Sequence, residues 1–120
     1  MNSHEHPEIR IIMARISRAD LKKIAEERFG DMVKVVIDIE KRIMAIGGEM
    51  HADEEALLLE KGSLQKNLWG INLYPNLSLE EWLEFDSMIN VRPRHNNRSR
   101  GVDDATLRET IREIVNDLTV

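Results

Sequence analysis

The sequence predicts a single α+β domain: a four-stranded, mainly antiparallel sheet in two hairpins, packed with about three helices in the order α-β-β-α-β-β-α. Four observations lead there. The chain has 120 residues and a mass of 13.9 kDa, the size of one folding unit. Its 42% hydrophobic and 32% charged residues supply one ordinary core and exclude general disorder. Runs rich in β-branched residues come in consecutive pairs with short links, which favours antiparallel pairing. Helical stripes stand before, between and after them, to cover one face of the sheet or segregate to one side of it.

Residues 1–8 are polar and read as a disordered tail, which leaves 9–120 as the domain. The apolar run from Ile9 to Ile16, interrupted by Arg10 and Arg15, is either a short strand or a docked extended segment. Ser17 stands as a helix N-cap, with Asp20 three residues on in capping-box position. Leu21, Ile24, Ala25 and Phe29 recur at helical spacing and Gly30 supplies a left-handed stop, so a helix covers 18–29. From Met32 to Ile39, alternation places Val33, Val35, Ile37 and Ile39 on one face of a strand. Glu40-Lys41-Arg42 interrupts, and Ile43 to Met50 resumes strand character, which makes a hairpin. Gly47-Gly48 marks a bulge or a close approach to the backbone.

Asp53 caps a short helix with Glu54 and Glu55 in its first turn and a stop at Gly62. Its Leu57-Leu58-Leu59 run buries more than one face. Asn67 to Tyr74 is a strand halted by Pro75, Pro75 to Ser78 is a turn, and Glu80 to Arg92 is the last strand. In that strand Leu83, Phe85, Ser87, Ile89 and Val91 share one face, and Trp82, Glu84, Asp86, Met88, Asn90 and Arg92 share the other. Pro93 to Gly101 is an irregular loop. Asp103 caps the final helix, Val102 and Leu107 have the spacing of a hydrophobic staple, and Leu107, Ile111, Ile114, Val115 and Leu118 form its apolar stripe.

Composition limits the chemistry. Lys plus Arg number 17 and Asp plus Glu 22, for a net charge of −5. A globally acidic chain disfavours nucleic acid as a partner, since such binding rests on neutralising phosphates. With no cysteine, thiolate catalysis, disulfides and cysteine-based metal sites are excluded. The N-terminus lacks the basic and apolar regions of a secretory signal, and no apolar run approaches the ~20 residues of a membrane span. The expected setting is cytoplasmic, away from membranes. Gly-rich dinucleotide and phosphate loops, HExxH, GxSxG and the EF-hand loop are all missing, and no cofactor or metal is expected.

Three constellations remain. Arg92, Arg94, Arg98 and Arg100 gather four positive charges with no acid among them, and Asn90, Asn97, Ser99 and His95 add hydrogen-bonding groups. Guanidinium forks suit phosphates and carboxylates, so the loop reads as an anion contact, or as a solvated loop paired with the domain's own acids. The polar face of the last strand, with Glu84, Asp86, Asn90 and Arg92 beside Gly70 and Asn72, reads as a shallow site or a wet sheet face. Around His51, flanked by Glu49 and Asp53, the alternatives are a structural hydrogen-bonder, a base and a metal ligand.

The series Ile46-Gly47-Gly48-Glu49-Met50-His51-Ala52-Asp53, Leu58-Leu59-Glu60-Lys61-Gly62-Ser63, Leu68-Trp69-Gly70-Ile71-Asn72-Leu73-Tyr74-Pro75, Asp86-Ser87-Met88-Ile89-Asn90-Val91-Arg92-Pro93 and Asn97-Arg98-Ser99 resembles a small uncharacterised prokaryotic family catalogued as a protein domain of unknown function. The similarity runs over about residues 17–118. It implies a free-standing single domain and brings no activity, substrate or site residue with it.

The leading functional expectation is a binding module. Its Arg- and Asn-rich loop (Arg92, Arg94, Asn97, Arg98, Ser99 and Arg100, with Asn90 adjoining) would contact an anionic small molecule or an acidic protein surface. The alternative is a small hydrolase- or isomerase-like enzyme with His51 and Asp86 as acid–base groups near one pocket, and Arg92 or Arg98 fixing a substrate anion. A third reading is a self-associating structural protein, a homodimer formed through a sheet edge or the Leu57–Leu59 helix.

Overall fold

Backbone pairing fixes the strand order. β1 (Arg10–Ile12), β2 (Val33–Asp38), β3 (Ile43–Ile46), β4 (Leu68–Leu73) and β5 (Leu83–Glu84) form one sheet in the order β1-β3-β2-β4-β5, antiparallel at every step. This computed structural model describes residues 9–120, and the tail expected at 1–8 lies outside the described residues. The domain is α+β with three α-helices, as expected, but its sheet has five strands and not four. The fifth is β1, the first part of the ambiguous Ile9–Ile16 run, which pairs with β3 as an edge strand. The rest of that run docks differently: Ile16 forms a parallel bridge with Thr119.

Period-two alternation sorts the side chains. Val33, Val35, Ile37, Met44, Ile46, Ile71 and Leu73 face one way and pack under α1 (Arg18–Arg28) and α3 (Ala105–Leu118), which contribute Leu21, Ala25, Ile111, Ile114, Val115 and Leu118. Val36, Ala45 and Leu68 face the other way, under Leu58 of α2 (His51–Glu60). Helices therefore lie on both faces, which corrects the one-sided arrangement. The physical reason is in β2: Val35, Val36 and Ile37 are all fully buried, and a strand covered on both sides reads as a continuous apolar run.

Local signals explain most boundaries. Ser17 Oγ accepts from the Asp20 amide at 3.1 Å, and Gly30 takes a φ of +95° after α1. The β2–β3 hairpin is held by Asp38, whose buried carboxylate accepts from the Glu40 and Lys41 amides, each at 2.9 Å, and from Ser63 Oγ at 2.7 Å. Two caps are corrected. α2 starts at His51, with Met50 as an N-cap that offers no side-chain bond, so Asp53 lies inside the helix. α3 is capped by Asp104, not Asp103, through the Thr106 and Leu107 amides. Asp103 instead accepts from the Arg98 amide and Ser99 Oγ. Val102 and Leu107 both pack into the core, one position off the staple register.

The expected long strand at 80–92 is the largest correction. Pairing stops after Glu84. Trp82, assigned to the outer face, is 2% exposed and lies in the main core, and Met88–Asn90 is a 3-10 turn capped by Ser87 Oγ. The cause is Gly70 on β4. A Cβ there would stand 2.6 Å from Ser87 Cβ and Oγ, so only glycine lets the 86–90 segment fold over that face. Asn90, fully buried, then takes the place of a strand partner: the Gly70 amide donates to Asn90 Oδ1 at 2.8 Å and Asn90 Nδ2 donates to the Gly70 carbonyl at 2.9 Å.

Candidate functional site

The folded-over segment leaves a cleft of about 370 Å³ on the α2 side of the sheet. Its floor is one row of side chains set by register, because Lys34 of β2 stands opposite Asn72 of β4 and Asn72 opposite Glu84 of β5. The start of α2 supplies one wall through Met50, His51 and Ala52. Asp86, Ser87, Met88 and Arg100 supply the other. The two acid–base candidates, His51 and Asp86, thus share one concavity.

His51 is 7% exposed, and its Nε2 lies 2.8 Å from the Ile71 carbonyl. A carbonyl only accepts, so Nε2 carries the proton and the neutral ring keeps its lone pair on Nδ1. Burial pushes the imidazole below its ordinary value. The Ile71 carbonyl opposes that shift, Lys34 reinforces it, and the Asn72 side chain opposes it. Asn72 is itself 6% exposed: Nδ2 donates to Glu84 Oε1 at 2.9 Å and, at 3.3 Å, to the Asp86 carbonyl. Asn72 Oδ1 is buried with no hydrogen-bond partner among the described residues.

Tyr74 OH also donates to Glu84 Oε1, at 2.9 Å. Burial and the Glu84 hydrogen bond push the phenol up to about 12, so it remains a donor at neutral pH. Both donors engage Oε1, and among the described residues nothing engages Glu84 Oε2. Asp86 Oδ1 accepts from Arg100 Nε at 2.6 Å. That bond uses one donor and leaves the two terminal guanidinium nitrogens without partners among the described residues. Lys34 makes no ion pair among the described residues; its Nζ lies 5.4 Å from the centroid of the Phe29 ring.

The arginine loop divides in two. Arg92 stacks over the Trp69 ring at 4.4 Å and donates to the carbonyls of Ile89, Gln65 and Leu68. Burial lowers its pKa, with Glu55 opposing. Asn97, 3% exposed, donates to the Asn90, Ser99 and Gly101 carbonyls and accepts from the Asp103 amide. Asn90 adds a bond to the Arg100 carbonyl. Ser99 Oγ bonds to Asp103. These residues form the frame of the loop. The side chains of Arg94 and Arg98 are exposed and have no partner among the described residues. Only Arg100 lines the cleft.

The Glu49–Asp53 constellation does not converge. Glu49 reaches Arg28 at 3.6 Å, while His51 turns to the sheet. Among the described residues no three His, Asp or Glu side chains gather as a metal site. Sequence reasoning missed Lys34, Tyr74 and Glu54. Lys34 is the single cation in a run of β-branched residues and Tyr74 is the only tyrosine. Glu54 is fully buried beside the cleft wall. Its Oε2 accepts from the Gly48 amide at 2.9 Å, its Oε1 has no partner among the described residues, and burial holds its pKa well above the usual carboxylate range. Gly48 is the expected close approach, since a Cβ there would meet Glu54 Cγ at 3.0 Å.

A second depression, of about 520 Å³, is lined by Arg18, Leu77, Leu79 and Val120. Its only titratable side chain is Arg18, already bonded to the Pro75 and Leu77 carbonyls and stacked on Trp82. No described helix is long and apolar enough to cross a membrane. A family model described as protein of unknown function (DUF5674) matches residues 10–118. No curated protein and no solved structure matches the chain.

Proposed function

The chain belongs to this DUF5674 family of proteins of unknown function, and we propose that it is a cytoplasmic small-molecule binding module whose cleft takes a ligand with an anionic group. The observation that carries this reading is the convergence of two cations without full partners, Lys34 and Arg100, on one concavity with a neutral His51. Asp86 holds Arg100 by Nε alone, which orients the remaining guanidinium donors for a carboxylate or phosphate. Arg100 is the member of the arginine loop that serves the site, and Arg92, Asn90 and Asn97 keep it in position. A cleft of this size lies at the small end of ligand sites, which run from roughly 300 to 1,000 Å³.

The test is an NMR titration of the full chain with inorganic phosphate and with acetate. Saturable shifts are expected at Lys34, His51 and Arg100, lost in the K34A/R100A double variant and retained in R94A/R98A. Shifts confined to the 93–98 loop, or none at the cleft with these anions or with any carboxylate-bearing ligand, would overturn the reading.

One observation favours a second reading, acid–base catalysis: His51 and Asp86 line the same cleft, and the ring is held in a single tautomer by Ile71. Hydrolysis of p-nitrophenyl acetate above the solvent rate, and its loss in H51Q, is expected on that reading. Equal rates for parent and H51Q would refute it.

A further inference from the structure

We infer that the ligand of this cleft is a zwitterion with an apolar body, of the class of the apolar α-amino acids; this rests on the binding reading above. The lining is charge-balanced. Lys34 and Arg100 are matched by Glu84 and Asp86, and a neutral His51 adds nothing to the sum. A simple anion drawn to the cations also stands beside two carboxylates, so like charge offsets part of the attraction and leaves its binding weak. A ligand that also carries an ammonium turns that repulsion into attraction.

Glu84 is prepared for this. Asn72 and Tyr74 both donate to Oε1, which fixes the plane of the carboxylate and leaves Oε2 with no donor of its own among the described residues. An ammonium group supplies the missing donors. On the wall beside it, Arg100 keeps its terminal nitrogens for the ligand carboxylate.

The third feature is apolar. Met50, at the start of α2, and Met88, in the 3-10 turn, flank the opening from opposite walls and are 57% and 65% exposed. Unbranched thioether side chains adapt to varied apolar shapes. Together they suit an aliphatic or aromatic side chain projecting from a zwitterionic head.

The experiment titrates the ¹⁵N-labelled full chain with L-leucine, L-methionine and L-phenylalanine, then with N-acetyl-L-leucine and L-leucine methyl ester. At least one free amino acid is expected to give saturable shifts at Glu84, Arg100 and the methionine lips. Blocking either the amine or the carboxylate is expected to weaken binding at least ten-fold. E84Q is expected to weaken the free amino acid and leave N-acetyl-L-leucine unchanged. If N-acetyl-L-leucine binds as tightly as L-leucine, the zwitterion inference fails and the anion-binding reading stands. If phosphate shifts the cleft but no free amino acid does, the inference again fails alone. If neither phosphate, acetate nor any of these compounds shifts the cleft, both fail.

Discussion

Replacing Asn90 by alanine removes a side chain that acts as a piece of backbone. Its amide accepts from the Gly70 N–H and donates to the Gly70 and Arg100 carbonyls, at 2.8, 2.9 and 2.9 Å. Each such bond is worth about 0.5–1.5 kcal/mol net, and the buried Gly70 groups left unpaired add their own desolvation cost, so the loss comes to about 3–5 kcal/mol. That is a large share of the roughly 5–15 kcal/mol that holds a domain folded. With a urea m-value of about 1.5–2 kcal/mol per molar, the unfolding midpoint drops by roughly 2 M. The assay is urea denaturation followed by tryptophan fluorescence, Trp69 being next to Gly70 in β4. N90D separates the contributions, because it keeps the acceptor for the Gly70 N–H but turns an oxygen toward two carbonyls. A midpoint shift of N90A below about 0.5 M, or an N90D variant as stable as the parent, would show that the asparagine does not carry the fold of this segment.

Two further outcomes are expected. G70A forces a Cβ to within 2.6 Å of Ser87 and 3.2 Å of His51 Cδ2; the overpacking should cost about 1–3 kcal/mol and move the His51 ring resonances, and an unchanged ring spectrum would contradict the close approach. Glu54 has a raised folded-state pKa, so the native state binds a proton that the unfolded chain has released. Stability is therefore full below the ordinary carboxylate value and falls as pH rises from there toward the folded value. E54Q keeps an acceptor for the Gly48 amide without that loss, so its midpoint should gain on the parent as pH is raised from 5 to 8. A constant difference across that range would refute the buried-acid assignment.

The parts of the fold that were legible in the sequence are the local ones. Ser17, Gly30 and the 3.6-residue stripes announce α1 and α3, and the β2–β3 hairpin follows from two β-branched runs and a polar link. What failed depends on relations between distant positions. Nothing near 80–92 says that Gly70 makes room for Ser87, so the alternation there reads as a strand. The α3 cap was displaced by one because two aspartates stand side by side, and only the Ser99 and Arg98 bonds to Asp103 decide between them. His51 and Asp86 were recognisable by chemical type. Their meeting in one cleft, with Lys34 and Tyr74, required the strand register. The arginine cluster was visible as charge, but Arg92 is held by carbonyls, and a carbonyl leaves no mark in a sequence.

The 86–101 loop keeps its shape with side-chain amides, a hydroxyl and the Arg92 guanidinium, while the guanidinium groups of Arg94 and Arg98 hold nothing among the described residues. Shape and electrical character are therefore separable there. Arg94 and Arg98 can be exchanged for neutral or acidic residues without redrawing the backbone, whereas trading Asn97 for any residue without a carboxamide dismantles the support on which Arg100 stands. The loop can in that way be retuned in potential at constant geometry.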